Sequence, residues 1–163
     1  MPIPGIDQPE LLPVSDTLRL RRYDGNADFA LYWYQDAHTL LMVDGKNEPY
    51  TMERLNQMYR YLDGHGELYF IELLQDDSFL PIGDVTLCRD DLPIVIGVHS
   101  LRGQGIGRQV LTALIQRAKT LGFERLGVQE IYVNNLPSQR LFESVGFRRD
   151  KLTADGYSFI LTI

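Results

Sequence analysis

The sequence predicts an α+β fold, and three observations carry that reading. Apolar or alternating runs joined by tight turns, 67–74 with 81–89 and a pair around Asp155-Gly156, read as antiparallel strands. Amphipathic runs with a 3.6-residue stripe, 51–62 and 105–120, read as helices. Between the apolar run Pro93–Val98 and the second of these helices lies Arg102-Gly103-Gln104-Gly105-Ile106-Gly107, a strand, glycine loop and helix in succession. The whole order is β-α-α-β-β-β-α-β-α-β-β, expected to form one domain over residues 1–163 with about four helices.

Each element has a local reason. Residues 1–14 hold four of the eight prolines and read as an extended arm. Leu18-Arg19-Leu20-Arg21-Arg22-Tyr23 alternates and predicts the first strand. Asp24 is positioned to cap a helix reaching Tyr34, and Asp44-Gly45 breaks the chain. Thr51 predicts the N-cap of a helix to Leu62, with Arg54 where a capping-box Glu would sit; Met52, Leu55, Met58, Tyr59 and Leu62 form its stripe. Residues 63–66 read as a turn, Asp76-Asp77 as a hairpin turn and Asp90-Asp91 as a tight turn before the strand at 93–98. The main helix buries Ile106, Val110, Leu114 and Ala118 and stops at Gly122, a good C′ residue. A strand at 128–133, a short helix from Pro137 to Val145 and two closing strands complete the order.

Composition narrows the function classes. The chain is 44% apolar without any long apolar run, so no membrane helix is expected. No basic-then-apolar leader opens it, and a single cysteine, Cys88, fits a reducing compartment; a cytoplasmic location is expected. His38, His65 and His99 have no metal-ligand spacing, so no metal is expected. Residues 1–101 carry seven basic against 17 acidic side chains, and residues 102–163 carry nine against five. That split predicts an anion site in the second part and an acidic cleft for a cationic group built largely by the first. An acidic chain without a basic, aromatic-studded stripe argues against nucleic acid, and a homodimer remains compatible with the sequence.

The glycine loop carries the most chemistry. Alternate glycines turn the backbone tightly and leave N–H groups uncovered, and the following helix adds its positive dipole end; together they make a cradle for phosphate. The mononucleotide loop is excluded because Gly107 is followed by Arg108-Gln109 rather than Lys-Ser/Thr. The dinucleotide fingerprint fails because its third glycine would fall on Arg108 or Val110. What remains, Arg102, Gly105 and Gly107 as Arg/Gln-x-x-Gly-x-Gly/Ala, resembles the pyrophosphate loop of the GNAT superfamily of N-acetyltransferases. A second segment, Asn135-Leu136-Pro137-Ser138-Gln139-Arg140-Leu141-Phe142-Glu143-Ser144-Val145-Gly146-Phe147, is similar to the superfamily's Asn-x-x-Ala/Ser-x-x-Leu-Tyr-Glu-x-x-Gly-Phe pattern, in register and at the usual distance. Trp33-Tyr34-Gln35-Asp36 resembles the early Trp-x-x-Asp of aminoglycoside and ribosomal-protein N-terminal acetyltransferases.

The resemblance implies a mixed, mostly antiparallel sheet of six to seven strands with splayed central strands. It implies acetyl-CoA as acyl donor: pyrophosphate on Gly103, Gln104, Gly105, Ile106 and Gly107, with Arg102 or Arg108 adding charge or merely facing solvent. The pantetheine arm would lie along Gly97, Val98 and His99, with Asn135, Ser138 and Phe142 facing it. Acetyl transfer to an amine, by direct attack in a ternary complex, then needs an oxyanion donor, a base and a proton for the departing thiolate. Val98 N–H is the implied oxyanion donor. Asp84, Asp91 and Glu130 are candidate bases, with a structural hydrogen-bonding role as the alternative for Asp84 and a turn role for Asp91. Phe142 stands where many members carry a Tyr acid, so Tyr132 or Tyr157 would substitute, or the thiolate would leave unassisted. The acceptor would be a cationic small molecule such as an aminoglycoside or polyamine, or a protein N-terminus. The alternative function is a non-catalytic acyl-CoA sensor with a lapsed active site.

Overall fold

A computed structural model describes residues 3–163. The residues expected to be an arm end in a short strand, β1 (Leu11–Pro13), which pairs with β2 (Leu18–Arg22), because Leu12 packs onto the core from opposite Leu20. The segment after β2 differs from expectation. Asp24 caps no helix; its carboxylate accepts the Asn26 N–H in a turn. A 3₁₀ segment follows at Asp28–Gln35, and a helix unforeseen in the sequence, α1 (Ala37–Asp44), is capped by Asp36 and closed by Gly45. Helix α2 (Met52–His65) starts at Thr51 as expected, its hydroxyl accepting the Arg54 N–H at 3.2 Å. It runs through the expected turn and ends only at Gly66.

Strands β3 (Glu67–Gln75) and β4 (Ser78–Leu87) form a hairpin whose two turn residues, Asp76 and Asp77, both have positive φ, the geometry of a type I′ turn. Its ladder shifts at Ile71/Glu72, leaving Ile82 as an extra residue beside Pro81, which has no N–H to donate. Strand β5 (Ile94–Ile96) joins β4, and helix α3 (Ile106–Thr120) follows. Strand β6 (Arg125–Tyr132), helix α4 (Leu136–Ser144), β7 (Arg148–Leu152) and β8 (Gly156–Thr162) complete the chain.

The strands pair antiparallel in two sheets, β1-β2-β3-β4-β5 and β6-β8-β7. No ladder joins β5 to β6, so the central strands are splayed as the resemblance implied. One core lies between the sheets and α3, around Leu20, Ile71, Val85, Val110, Leu114, Leu126 and Phe159. A second, largely aromatic core lies under the 3₁₀ segment, α1 and α2. Helix α3 is pinned to β3 by Arg117, whose Nε and Nη2 donate to buried Glu67 at 2.6 and 2.7 Å while Tyr69 donates to the same carboxylate. Among the described residues no helix is long and apolar enough to cross a membrane.

Candidate active site

The splay opens a cleft of about 910 Å³ between β5 and β6. Its floor is the loop before α3. Gly103 and Gly105 have φ of 74° and 80°, a region L side chains avoid, and a Cβ on either would meet nothing within 4 Å. The loop thus stays bare on its open side. Gly105 is the N-cap of α3 and offers no side chain, and the first intrahelical bond runs from Gln109 N–H to Gly105 C=O. The N–H groups of Ile106, Gly107 and Arg108 therefore lack helical partners, and a helix of 15 residues points its positive end at them. This is an anion cradle. Arg108 and Arg140 are exposed side chains on the cleft wall. Arg140 lies within the second motif, but its spacing gave no hint of a role.

The wall formed by β5 offers backbone groups. Thr86 N–H donates to Pro93 C=O at 3.0 Å, and Gly97 N–H to Ile82 C=O at 2.8 Å, with Val95 opposite Asp84 between them. Alternate residues of an antiparallel strand address the partner, so Pro93, Val95 and Gly97 face β4, and the backbone groups of Ile94 and Ile96 face the gap. The oxyanion donor expected at Val98 is misplaced: its N–H also turns to Ile82 C=O, at 3.4 Å, because the extra residue there aims its carbonyl at both donors. Ile96 N–H faces the gap instead. Gly97 too lies behind the strand, where a Cβ would collide with the Trp33 indole. Trp33 is fully buried in the aromatic core and Asp36 caps α1, so the Trp-x-x-Asp tetrapeptide is structural here.

Other sequence-predicted residues divide. His99, Ser138 and Phe142 line the cleft, Phe142 only 2% exposed and edge-on to Phe147. Gln104 turns back to Ser100 C=O. Arg102 lines the cleft but its guanidinium is occupied: Nε donates to Ile96 C=O at 3.0 Å and Nη2 to Thr39 Oγ1 at 2.5 Å, and Nη1 lies 3.1 Å from His99 Nδ1. Asn135 caps α4 by accepting Ser138 N–H at 3.2 Å and donates to Met42 C=O at 3.3 Å. Thr39, Met42 and Val43 of α1 also line the cleft. Sequence reading missed them with the helix that carries them, although Asp36-x-x-Thr39 before an apolar run and Gly45 behind it were a usable signal.

The candidate bases sit in three settings. Asp84 does not line the cleft; it lies behind β5, 2% exposed, with Tyr34 and Tyr59 hydroxyls donating to one oxygen at 2.6 and 2.8 Å. Burial pushes its carboxyl up to about 6 against the two hydrogen bonds, which act the other way. Asp91 lines the cleft but accepts Gln129 N–H at 3.1 Å, tying the β4–β5 turn to β6, and burial raises its carboxyl above the usual range. Glu130 is exposed on the cleft wall at the β6 bulge, with one oxygen on Asp155 N–H. Tyr132 lines the cleft two residues on, its phenol raised by burial first and then by Glu130, Asp44 and Asp155. Tyr157 faces elsewhere, under the Arg149 guanidinium. The expected acidic wall from residues before 101 is therefore only partial. Glu67 and Glu72 are spent on Arg117 and on Arg19 and Arg21, and the acids around Tyr132 come from both parts of the chain.

Comparison with known proteins agrees with this geometry. An uncharacterized protein of Methanocaldococcus jannaschii is 28% identical over 88 residues, which is 51% of this chain but 18% of that protein, so the chain spans under a fifth of its length. An aminoglycoside acetyltransferase solved with coenzyme A superposes with a TM-score of 0.71 at 18% identity, covering 90% of this chain and 95% of that one. An acetyltransferase from Salmonella typhimurium that modifies the N-terminal serine of a 50S ribosomal subunit protein gives 0.71 at 20% identity, covering 94% and 99%. At these identities the likeness establishes the fold. The model of the acetyltransferase (GNAT) family matches residues 28–147, which include the bare glycine loop, the splayed strands and the Asn135 cap, and the chain belongs to that family.

Proposed function

We propose that the protein transfers an acetyl group from acetyl-CoA to a primary amine, by direct attack while both are bound. The observation that carries this reading is the uncovered N-terminus of α3 opening into the gap between β5 and β6. A pyrophosphate fits the N–H groups of 106–108, with Arg108 and Arg140 beside it. The backbone groups of Ile94 suit the amide-bearing arm, and Ile96 N–H suits the carbonyl oxygen as it gains charge.

Residues of β6 support the proton transfers. Glu130, directly or through a water, takes a proton from the amine, whose nitrogen bonds to the carbonyl carbon. The C–S bond breaks, and the thiolate receives the Tyr132 phenolic proton; solvent then returns a proton to the phenolate and takes the one held by Glu130. Phe142, a ring without a proton, contributes packing only. Glu130, Asp44 and Asp155 around Tyr132 favour a cationic acceptor, an aminoglycoside, a polyamine or a protein N-terminus, over an anionic one.

The test is thiol release from acetyl-CoA with a polyamine, an aminoglycoside and a peptide with a free N-terminal serine. Turnover with a cationic amine, weakened by salt, is the expected result. Tight acetyl-CoA binding without release from any amine would favour the sensor; no binding would overturn both readings.

A further inference from the structure

The two motif side chains that suggested cofactor contacts, Arg102 and Asn135, both reach α1 instead. Arg102 holds β5 through Ile96 C=O and the start of α1 through Thr39 Oγ1, and that hydroxyl donates onward to Asp36, the N-cap. Asn135, at the start of α4, donates to Met42 C=O, one of the last carbonyls of α1, which has no helical partner. Just beyond, the Tyr132 ring at the end of β6 packs over Gly45, within 3.4 Å of where a Cβ would stand. Helix α1 is thus tied through Arg102 to β5 at one end and touches β6 and α4 at the other, bridging strands that share no backbone ladder.

The aromatic core holds the other face of α1, through fully buried Leu40 and, at the edge, Val43. The helix has eight residues, too few for an independent helix, and only Thr39 and Leu40 are buried. Its C-terminal end is braced by Tyr50 and Arg54 on Asp44, at 3.3 and 3.5 Å. Met42 and Val43 form cleft wall near Tyr132, the proton donor of the proposed reaction.

We propose that α1 is a strap across the splayed strands, and that Arg102 and Asn135 are positioning residues that hold it over the amine-acceptor end rather than ligands of acetyl-CoA. The acceptor role rests on the transferase reading above; the strap itself does not. Arg102 meets its partners as a fixed fork, which a lysine cannot reproduce. The thiol end of the donor and the incoming amine would meet beneath the strap, so a loosened α1 should harm the amine site and spare the cradle at 103–108.

Two substitutions cut the pins without touching the cradle. Thr39→Val removes the hydroxyl between Arg102 and Asp36. Asn135→Asp keeps an acceptor for Ser138 N–H and removes the donor to Met42. Hydrogen exchange of 37–45 should quicken about tenfold in Thr39→Val, which loses charge-assisted bonds, and about fivefold in Asn135→Asp, which loses a neutral one, with α3 unchanged. Acetyl-CoA affinity by calorimetry should stay within about threefold, while KM for the amine the parent acetylates rises about tenfold. Thr39→Ser should restore both. Unchanged exchange at 37–45, with or without a loss of acetyl-CoA affinity, overturns the strap. Faster exchange with an unchanged amine KM overturns the acceptor role. If the parent acetylates no amine, the transferase reading fails, and exchange alone decides the strap.

Discussion

The two sides of β5 place polar groups under opposite rules. Behind the strand, Asp84 is enclosed by Tyr34, Tyr59 and the aromatic core, and both hydroxyls end on its carboxylate. In front, the backbone groups of Ile94, the Ile96 N–H and the first N–H groups of α3 face an open cleft. A buried polar group must find a partner inside the protein, whereas one facing a cleft can keep its valence for a ligand. The carboxylate that stands out in an apolar strand thus has its partners inside the protein, and the inconspicuous backbone beside it faces the cleft.

The largest expected effect breaks the open side. Gly105→Val places a branched side chain in the bare cradle, at a φ of 80° that costs about 1–2 kcal/mol of strain. Acetyl-CoA affinity should fall at least about a hundredfold, since several phosphate contacts are lost together. Calorimetry on a variant with intact circular dichroism checks this; unchanged affinity would move the phosphates elsewhere.

The next effect lies on β6. Tyr132→Phe removes the hydroxyl proposed to protonate the thiolate. Turnover should fall roughly 100-fold, the lower range for general acid catalysis, with acetyl-CoA affinity little changed. A variant with full turnover would remove Tyr132 from the reaction and leave the thiol to depart unassisted.

Much of this contrast was legible in the sequence where it depended on local chemistry. The cradle follows from glycine spacing before an amphipathic helix, the α2 start from Thr51, and the hairpin from Asp76-Asp77. What escaped depended on contacts distant in the chain. Which side of β5 a backbone group faces is set by pairing with β4 and by the extra residue at Ile82, and neither shows in residues 94–98. Arg102 and Asn135 sit in phosphate-loop and arm-binding patterns, yet their partners lie 63 and 93 positions away on α1. That helix hid because its apolar residues Leu40-Leu41-Met42-Val43 run together instead of forming a 3.6-residue stripe, and because Asp36 reads as the end of the Trp-x-x-Asp pattern.

A smaller effect sharpens the closed side. Folding raises the Asp84 carboxyl to about 6, so the native state takes up its proton before the unfolded chain does. The protonated carboxyl favours the native state; this contribution is complete below about pH 4 and is lost as pH rises through about 6. Across that window the parent should lose about 2–3 kcal/mol relative to Asp84→Asn, which does not titrate. Urea denaturation at pH 4.5 and pH 7.5, values set about this window, measures the difference. Parallel pH dependences would mean that Asp84 is ionised throughout. Turnover of Asp84→Asn should stay within about threefold of the parent, and a collapse at full stability would return Asp84 to the candidate bases.

The smallest expected effect tests whether the site lacks a group or never needed it. Phe142 lines the cleft but is 2% exposed, with its ring edge-on to Phe147 at 5.2 Å, and Leu141 beside it packs on Gly107. The ring therefore belongs to the contact of α4 with α3 as much as to the cleft. Phe142→Tyr adds a hydroxyl at the edge of that packing, where it must either reach the cleft or remain unpaired at a cost of about 1–3 kcal/mol. If Tyr132 supplies the proton, a second phenol is redundant and turnover should stay within about tenfold of the parent. A gain of several hundredfold would show that thiolate departure limits the parent, and would favour the sensor whose acid has been lost. Combining the change with Tyr132→Phe separates the cases: rescue by the new hydroxyl places both phenols within reach of the sulfur, and failure to rescue leaves Tyr132 as the donor on β6.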